Sequence, residues 1–198
     1  MKTRAAVLQA IGRPQPYAES RPLVVEELVL EPPGAGEVLV EIKAAGLCHS
    51  DLSVINGDRP RPTPMALGHE AAGIVRELGA GVTDLAPGDH VVLVFVPSCG
   101  RCLPCMEGRP ALCEPGATAN VAGNLLSGMR KLRRADGPVH HHMGVSAFSE
   151  LAVVSRNSCV RIDPSCRSRR RRCSAARCSP AWAPWSTPPA SCPARRWP

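Results

Sequence analysis

The stretch LGHEAAGIVRELGAGV, Leu67–Val82, decides the fold. Its centre, AAGIVREL, is a short run rich in Ala, Ile and Val, and the turn-like sequence LAPGD follows it. An apolar run between clusters of Gly, Pro and Asp predicts a β-strand. His69 and Glu70 stand directly before this run, so two residue types that ligate metals lie where the predicted strand begins.

Similar runs occur on both sides of this stretch. They read AAVLQ, LVVEELVL, GEVLVEIKAAG, DHVVLVFV and ELAVVS. Two of them partly alternate between apolar and polar residues, as half-buried strands do. No long amphipathic helix and no internal repeat stands out, so we predict a mainly β domain over residues 1–164, a barrel or a sandwich. The more polar NLLSGMRKLRRADGPVHHHM is predicted to be a surface excursion, and its three adjacent His a solvated loop.

A second polar cluster lies upstream, in GLCHSDLSVINGD. Taken alone, Cys48 is more often a small buried hydrophobe than a ligand, and His69 alone would be an ordinary hydrogen-bonded histidine. The pair is more informative, because each follows a Gly-containing apolar segment and each is followed by an acid. A catalytic zinc takes three protein ligands and keeps a fourth position open. Glu70 would reach the metal or lie behind it, and Asp51 would accept the free ring N–H of His69.

A third cluster, PSCGRCLPCMEGRPALCEPG, spaces four cysteines as C-x2-C-x2-C-x7-C. These are Cys99, Cys102, Cys105 and Cys113. Four thiolates suit a structural zinc with a closed tetrahedral shell, which stabilises a loop and does no chemistry. An iron–sulfur cluster is the rival, but the bacterial ferredoxin run continues C-x3-C-P after its third Cys. A set of free thiols is the other alternative.

The charge of the chain is uneven. The formal net charge is +7, but the last 34 of the 198 residues hold eight Arg and no acidic residue, so residues 1–164 sum to −1. Those 34 residues contain no Leu, Ile, Val, Phe, Met or Gly, and such a segment cannot build a core. One hypothesis is a non-enzymatic zinc module whose basic tail, with three Trp, binds nucleic acid.

The motifs together resemble the zinc-dependent alcohol dehydrogenases of the medium-chain dehydrogenase superfamily. Residues 68–82 fit the pattern G-H-E-x2-G-x5-G-x2-V, and GLCHSDLSVINGD, the four-Cys loop and GDHVV follow the order of the family. The resemblance covers about residues 1–164 and implies a GroES-like barrel, the N-terminal catalytic domain of that family, with a structural zinc loop over residues 97–115. Polyol or threonine dehydrogenase-like members of the superfamily remain an alternative.

The resemblance also implies roles for single residues. Cys48 and His69 would ligate the catalytic zinc, and Glu70 would lie behind the metal and exchange onto it. Asp51 would support His69. Ser50 would hydrogen-bond the alcohol, and His49 would lie near the cofactor pyrophosphate. Zinc lowers the pKa of the bound alcohol, and hydride passes to NAD(P), giving an aldehyde or ketone. Ser53 occupies a position where many members continue the proton relay with a His.

The tail departs from the family after VRIDP. No G-x-G-x-x-G follows any predicted strand, and the third zinc ligand of the family is expected in this region. A one-base shift of the reading frame near Ser165 permits a family-like continuation, LPLxAAALLGCAVLTGVGAVVNTAGVMPGAAVA. Trp182–Ala183 is forced to give Gly, and Trp197–Pro198 is forced to give Ala. We therefore predict that residues 165–198 are a disordered frameshift product, and that the chain is a truncated, inactive fragment with an incomplete catalytic zinc site.

The remaining expectations concern the setting of the protein. The first residues lack the apolar run of a signal peptide, and no stretch approaches membrane-spanning length. The sequence therefore predicts a cytoplasmic protein, without nucleic-acid or membrane partners, that acts on a small alcohol or aldehyde. The family resemblance implies a homo-oligomer.

Overall fold

The computed structural model describes residues 1–164, and its elements are short strands linked by turns. The strands are β1 Lys2–Leu8, β2 Leu23–Leu30, β3 Glu37–Gly46, β4 Met65–Ala66, β5 Glu70–Leu78, β6 His90–Leu93, β7 Leu132–Arg134, β8 Gly137–His141, β9 Leu151–Ser155 and β10 Cys159–Ile162. The α-helices are α1 Tyr17–Ser20, α2 His49–Ile55, α3 Leu103–Met106 and α4 Glu114–Ala122, with 3-10 turns at Pro110–Leu112 and Arg156–Ser158. The disordered, frameshifted tail predicted at 165–198 lies outside the described residues.

Five strands close into a barrel in the order β1, β2, β7, β8, β4. Neighbouring strands are antiparallel except β4 and β8, which run parallel with Ala66 opposite His141. The barrel core is apolar and includes Val7, Leu28 and Leu30. It buries its largest side chains fully, so the barrel has an independent hydrophobic centre.

The predicted surface excursion is partly wrong, because β7 and β8 form a hairpin inside this barrel. Leu132 pairs with Val139, and both side chains are buried in the barrel core, while Arg133 between them points to solvent. Alternation along a strand lets charged residues face water without leaving the sheet. Because the segment is rich in polar residues, the alternation of buried and exposed positions, which continues to His141, was not recognised in the sequence.

The second sheet has the order β10, β6, β5, β3, β9. Strand β3, which lies between β5 and β9, is buried on both faces over residues 37–40. Val38 and Val40 pack into the core of this sheet, whereas Leu39 packs into the barrel core. A strand between two cores reads as a continuous apolar run, which explains the unbroken VLV in GEVLVEIKAAG.

Two motif glycines are required by the packing. Gly68 has a φ of +92°, and a Cβ there would lie 2.5 Å from the backbone nitrogen of Phe148. A Cβ on Gly79 would lie 1.7 Å from the carbonyl oxygen of Gly34, where β5 leaves the sheet. Larger residues would force the backbone apart at both points, so these glycines fix the two ends of β5.

Helices contribute little to this part of the chain. The longest α-helix among residues 1–164 is α4, with nine residues. None of the described helices has the length and apolar character needed to cross a membrane. The observed architecture is mainly β, as the sequence predicts.

Two candidate metal centres

The pairing of β3 with β5 brings Cys48, His69 and Glu70 together. Gly46, the last residue of β3, lies opposite Glu70, the first residue of β5. Cys48 follows two residues after that pair, and His69 comes one residue before it, so both project from the same edge of the sheet. The thiol of Cys48, a ring nitrogen of His69 and a carboxylate oxygen of Glu70 all lie within 4.8 Å of one another.

Asp51 holds His69 from behind. The start of α2 directs Asp51 inward, where its Oδ2 accepts a hydrogen bond from the backbone N–H of Cys48 at 3.1 Å. Its Oδ1 lies 3.1 Å from Nδ1 of His69, and both side chains are buried. Burial alone would raise the pKa of Asp51, but the imidazoles of His142 and His69 beside its carboxylate outweigh burial and hold that pKa far below its ordinary value.

The ionised Asp51 determines which nitrogen of His69 carries the proton. A carboxylate only accepts, so Nδ1 of His69 donates, and in the neutral ring the lone pair then lies on Nε2. Nε2 lies 3.9 Å from Oε1 of Glu70, on the side of the candidate ligands. A carboxylate behind a histidine in this way is the usual support of a metal-bound imidazole.

The first turn of α2 carries the other two predicted residues. His49 is exposed and Ser50 is half-buried. The hydroxyl of Ser53 donates to the backbone carbonyl of His49 at 3.1 Å and lies 3.3 Å from its Nδ1. Ser53 therefore holds the ring of His49 at the surface of the cluster.

The four-Cys loop forms the second centre. The sulfur atoms of Cys99, Cys102, Cys105 and Cys113 all lie within 4.8 Å of one another. Cys113 is buried at the start of α4, and its sulfur accepts backbone N–H groups from Cys99 at 3.1 Å and Gly116 at 3.3 Å. Cys99 in turn accepts the N–H of Cys102 at 3.3 Å.

Backbone N–H groups aimed at sulfur favour thiolates. The N–H of Arg101 is the largest contribution that lowers the pKa of Cys99 to about 6, while burial raises the pKa of Cys105 to about 11. Cys99 therefore forms a thiolate readily, whereas a thiolate at Cys105 needs a cation to compensate its charge. Four converging sulfur donors match the shell of a structural zinc, so the residues present fit that metal.

The two candidate metal centres lie in a region that matches one known protein family. The model of the alcohol dehydrogenase GroES-like domain matches residues 34–164. The chain belongs to this family. The match includes every predicted ligand and confirms the GroES-like, mainly β fold expected from the motifs.

Individual members of the family resemble the chain closely. It is 42% identical over 163 residues to an NDMA-dependent alcohol dehydrogenase from Amycolatopsis methanolica, covering 82% of this chain and 42% of that relative. The chain thus spans about two fifths of the length of this curated relative.

Solved structures of the family superpose on the same region. An alcohol dehydrogenase zinc-binding domain protein from Burkholderia ambifaria is 36% identical with a TM-score of 0.74, over 83% of this chain and 43% of that one. A benzyl alcohol dehydrogenase from Acinetobacter calcoaceticus is 31% identical with a TM-score of 0.76, over 88% and 45%. CAD from Helicobacter pylori, complexed with NADP(H), is 25% identical with a TM-score of 0.65, over 87% and 44%.

Sequence reasoning missed two rings that flank His69 in this alcohol dehydrogenase domain. Phe95 and His142 both meet the ring of His69 edge-on, with centroids 5.3 and 5.4 Å away. Phe95 lies just after β6, and no motif marks it.

The predicted solvated loop of three histidines is wrong. His140 and His141 lie in β8, and His141 and His142 are buried, with 1% and 2% exposure. The alternation that puts Val139 inside also puts His141 inside, and this was the available signal. The backbone N–H of Lys131 donates to Nε2 of His141 at 3.0 Å, which satisfies that nitrogen without a metal.

Proposed function

We propose that residues 1–164 are the metal-binding catalytic domain of a zinc-dependent alcohol dehydrogenase, which oxidises an alcohol to an aldehyde or ketone with NAD(P). The observation that carries this is the convergence of Cys48, His69 and Glu70 within 4.8 Å, with Asp51 bonded behind His69. The names of the relatives from Amycolatopsis and Acinetobacter, and the NADP(H) bound to the Helicobacter protein, support it.

The donor set fits zinc. A thiolate, a neutral imidazole and a carboxylate are the three ligand types that zinc accepts in catalytic sites. His69 is almost fully buried, and Asp51 accepts from its Nδ1, so Nε2 is the nitrogen that faces the candidate ligands. A buried imidazole held in this orientation would offer Nε2 to a cation.

The chain's own residues divide the work around that site. When bound, zinc supplies the Lewis acidity that lowers the pKa of an alcohol, and NAD(P) supplies the hydride acceptor. Asp51 keeps the proton on Nδ1 of His69, and the hydroxyl of Ser50 accepts a hydrogen bond from the alcohol. His49, exposed at the start of α2, would meet the cofactor pyrophosphate, and Ser53 lies 3.3 Å from its ring.

The four-Cys centre has a separate role in this proposal. Its four sulfur donors complete a tetrahedral zinc shell and leave no position for substrate. The loop of residues 97–115 contains the one-turn helix α3 and the 3-10 turn Pro110–Leu112, and most of its residues are exposed. The metal therefore replaces a hydrophobic core in holding residues 97–115.

Cobalt substitution of the full chain tests the two centres. Two cobalt ions per chain are expected, both with thiolate-to-cobalt absorption. Cys48→Ser and His69→Ala should each remove one ion and leave the four-Cys ion in place, because the two donor sets share no residue. If both variants still bind two ions, the proposed catalytic site is wrong.

The redox reaction is tested on the gene product with the reading frame restored after codon 164. Formation of NAD(P)H with primary, secondary and aromatic alcohols is measured, with His69→Ala as the inactive control. If the restored product reduces neither NAD nor NADP with any of these alcohols while it holds its zinc, the proposed activity is wrong.

A further inference from the structure

The carboxylate of Asp51 is in contact with two histidines. Its Oδ1 lies 3.1 Å from Nδ1 of His69 and 3.3 Å from Nδ1 of His142, and its Oδ2 accepts the backbone N–H of Cys48. Asp51, His69 and His142 are 3%, 1% and 2% exposed. One ionised oxygen thus faces two imidazoles in a site that solvent barely reaches.

Nδ1 of His142 has no other polar partner among residues 1–164. Among residues 1–164, its Nδ1 forms no hydrogen bond of good geometry, because the approach to Asp51 is short but poorly aligned. A buried N–H without a partner is costly, so the polar ring is expected to use the one acceptor beside it. Apo sites often hold such contacts off line and tighten them when the site is filled.

The backbone fixes where the ring of His142 lies. The N–H of His142 donates to the hydroxyl of Ser146 at 3.0 Å, and its carbonyl accepts the N–H groups of Val145 and Ser146. The turn after β8 is therefore closed on itself. It presents the ring to Asp51 and, edge-on, to His69.

We propose that His142 is a positioning residue for the candidate zinc site, acting through Asp51. The ring donates from Nδ1 to Oδ1 and fixes the carboxylate between two imidazoles. The fixed carboxylate then holds His69 in the orientation and tautomer that leave Nε2 free for the metal. This inference rests on the proposed function, since it assumes that Cys48, His69 and Glu70 bind the metal.

Two substitutions separate hydrogen bonding from packing. His142→Phe keeps the ring and removes the donor, whereas His142→Asn loses the ring but keeps an amide N–H close to the place of Nδ1. Cobalt affinity of the Cys48 site is measured on the full chain, together with the d–d spectrum. We expect His142→Phe to weaken binding about tenfold and to shift the spectrum, and His142→Asn to stay within about threefold of the parent.

The outcomes distinguish this inference from the proposed function. If the parent chain binds no cobalt that Cys48→Ser removes, the proposed metal site is wrong. If the parent binds cobalt and His142→Phe matches it in affinity and spectrum, the positioning role is wrong. If His142→Asn loses cobalt affinity and His142→Phe does not, His142 acts through packing alone, and the positioning role is wrong.

A measurement on the unsubstituted chain needs no variant to fold. Nitrogen-15 NMR of the imidazole rings shows which nitrogen of His142 carries the proton. The proposal requires a protonated Nδ1 coupled to Asp51. A His142 protonated only at Nε2 would overturn it, whatever the metal content of the sample.

Discussion

Asp51 is the single residue on which the candidate zinc site depends most, because it contacts Cys48, His69 and His142. Asp51→Asn keeps the shape of the side chain but removes its charge, so the amide no longer stabilises a proton on Nδ1 of His69. We expect zinc affinity at the Cys48 site to fall by about 10–100-fold. Competition with a chelator measures it.

Asp136→Asn is the matched control, since Asp136 is exposed and, among residues 1–164, its ion pair is with Arg134 at the surface. It should leave both metal centres unchanged. Equal zinc affinity in Asp51→Asn and in the parent would contradict the role of the carboxylate.

His141 makes the stability of the domain depend on pH. Burial lowers its pKa to about 3 in the folded chain, against about 6.5 when unfolded. Between these values the unfolded chain binds a proton that the folded chain does not, so stability falls as the pH drops from about 6.5 toward 3. The contribution is about 1.4 kcal/mol per pH unit.

Urea unfolding at several pH values, compared between the parent and His141→Gln, isolates this contribution. Glutamine offers an oxygen to the N–H of Lys131 and does not titrate. The free energy of unfolding of His141→Gln should fall less steeply below pH 6.5 than that of the parent. Parallel pH profiles for the two proteins would show that His141 is not the group responsible.

At the scale of elements, the loop of residues 97–115 depends on its cysteines. Cys113 is buried and its sulfur accepts two backbone N–H groups, so Cys113→Ser should remove one zinc per chain and open the loop to proteases. Zinc content by mass spectrometry of the metal and limited proteolysis measure the two effects.

Cys159→Ala provides the control for thiol loss. Cys159 is buried in β10, and burial raises its pKa to about 12. It belongs to none of the three groups of candidate metal ligands among residues 1–164. This variant should keep its full zinc content, and a loss of zinc equal to that of Cys113→Ser would contradict the assignment of the loop.

The elements also show what sequence alone can and cannot predict. The runs that became β3 and β5 were evident, because burial from both sides gives continuous Val, Ile and Leu. The candidate metal-ligating pair Cys48 and His69 was predicted from the similar sequence around each residue and from the family resemblance. The register that joins Gly46 to Glu70 was not, since pairing between strands is set by tertiary packing and bulges. His142 was missed because its partner Asp51 lies far away in sequence.

At the scale of the whole molecule, the nucleotide sequence of the gene tests the origin of residues 165–198. Residues 165–198 hold eight Arg and no acidic residue, and their forced codons agree with a family-like sequence one base out of frame. We expect the shifted frame downstream of codon 165 to encode a dinucleotide-binding domain. Sequencing the gene through that codon decides it. A shifted frame that stops early or lacks such a domain would contradict the hypothesis.

The register of β3 and β5 has a consequence for how this domain tolerates change. Cys48 and His69 are fixed by the two strands, and the intervening loop, residues 56–64, is not what holds them. The loop is therefore free to vary in length and composition while the metal-binding pair stays in place. A one-residue insertion within either strand would instead turn its side chains to the opposite face and separate the pair. The candidate metal-binding pair therefore depends on the two strands and not on the loop between them.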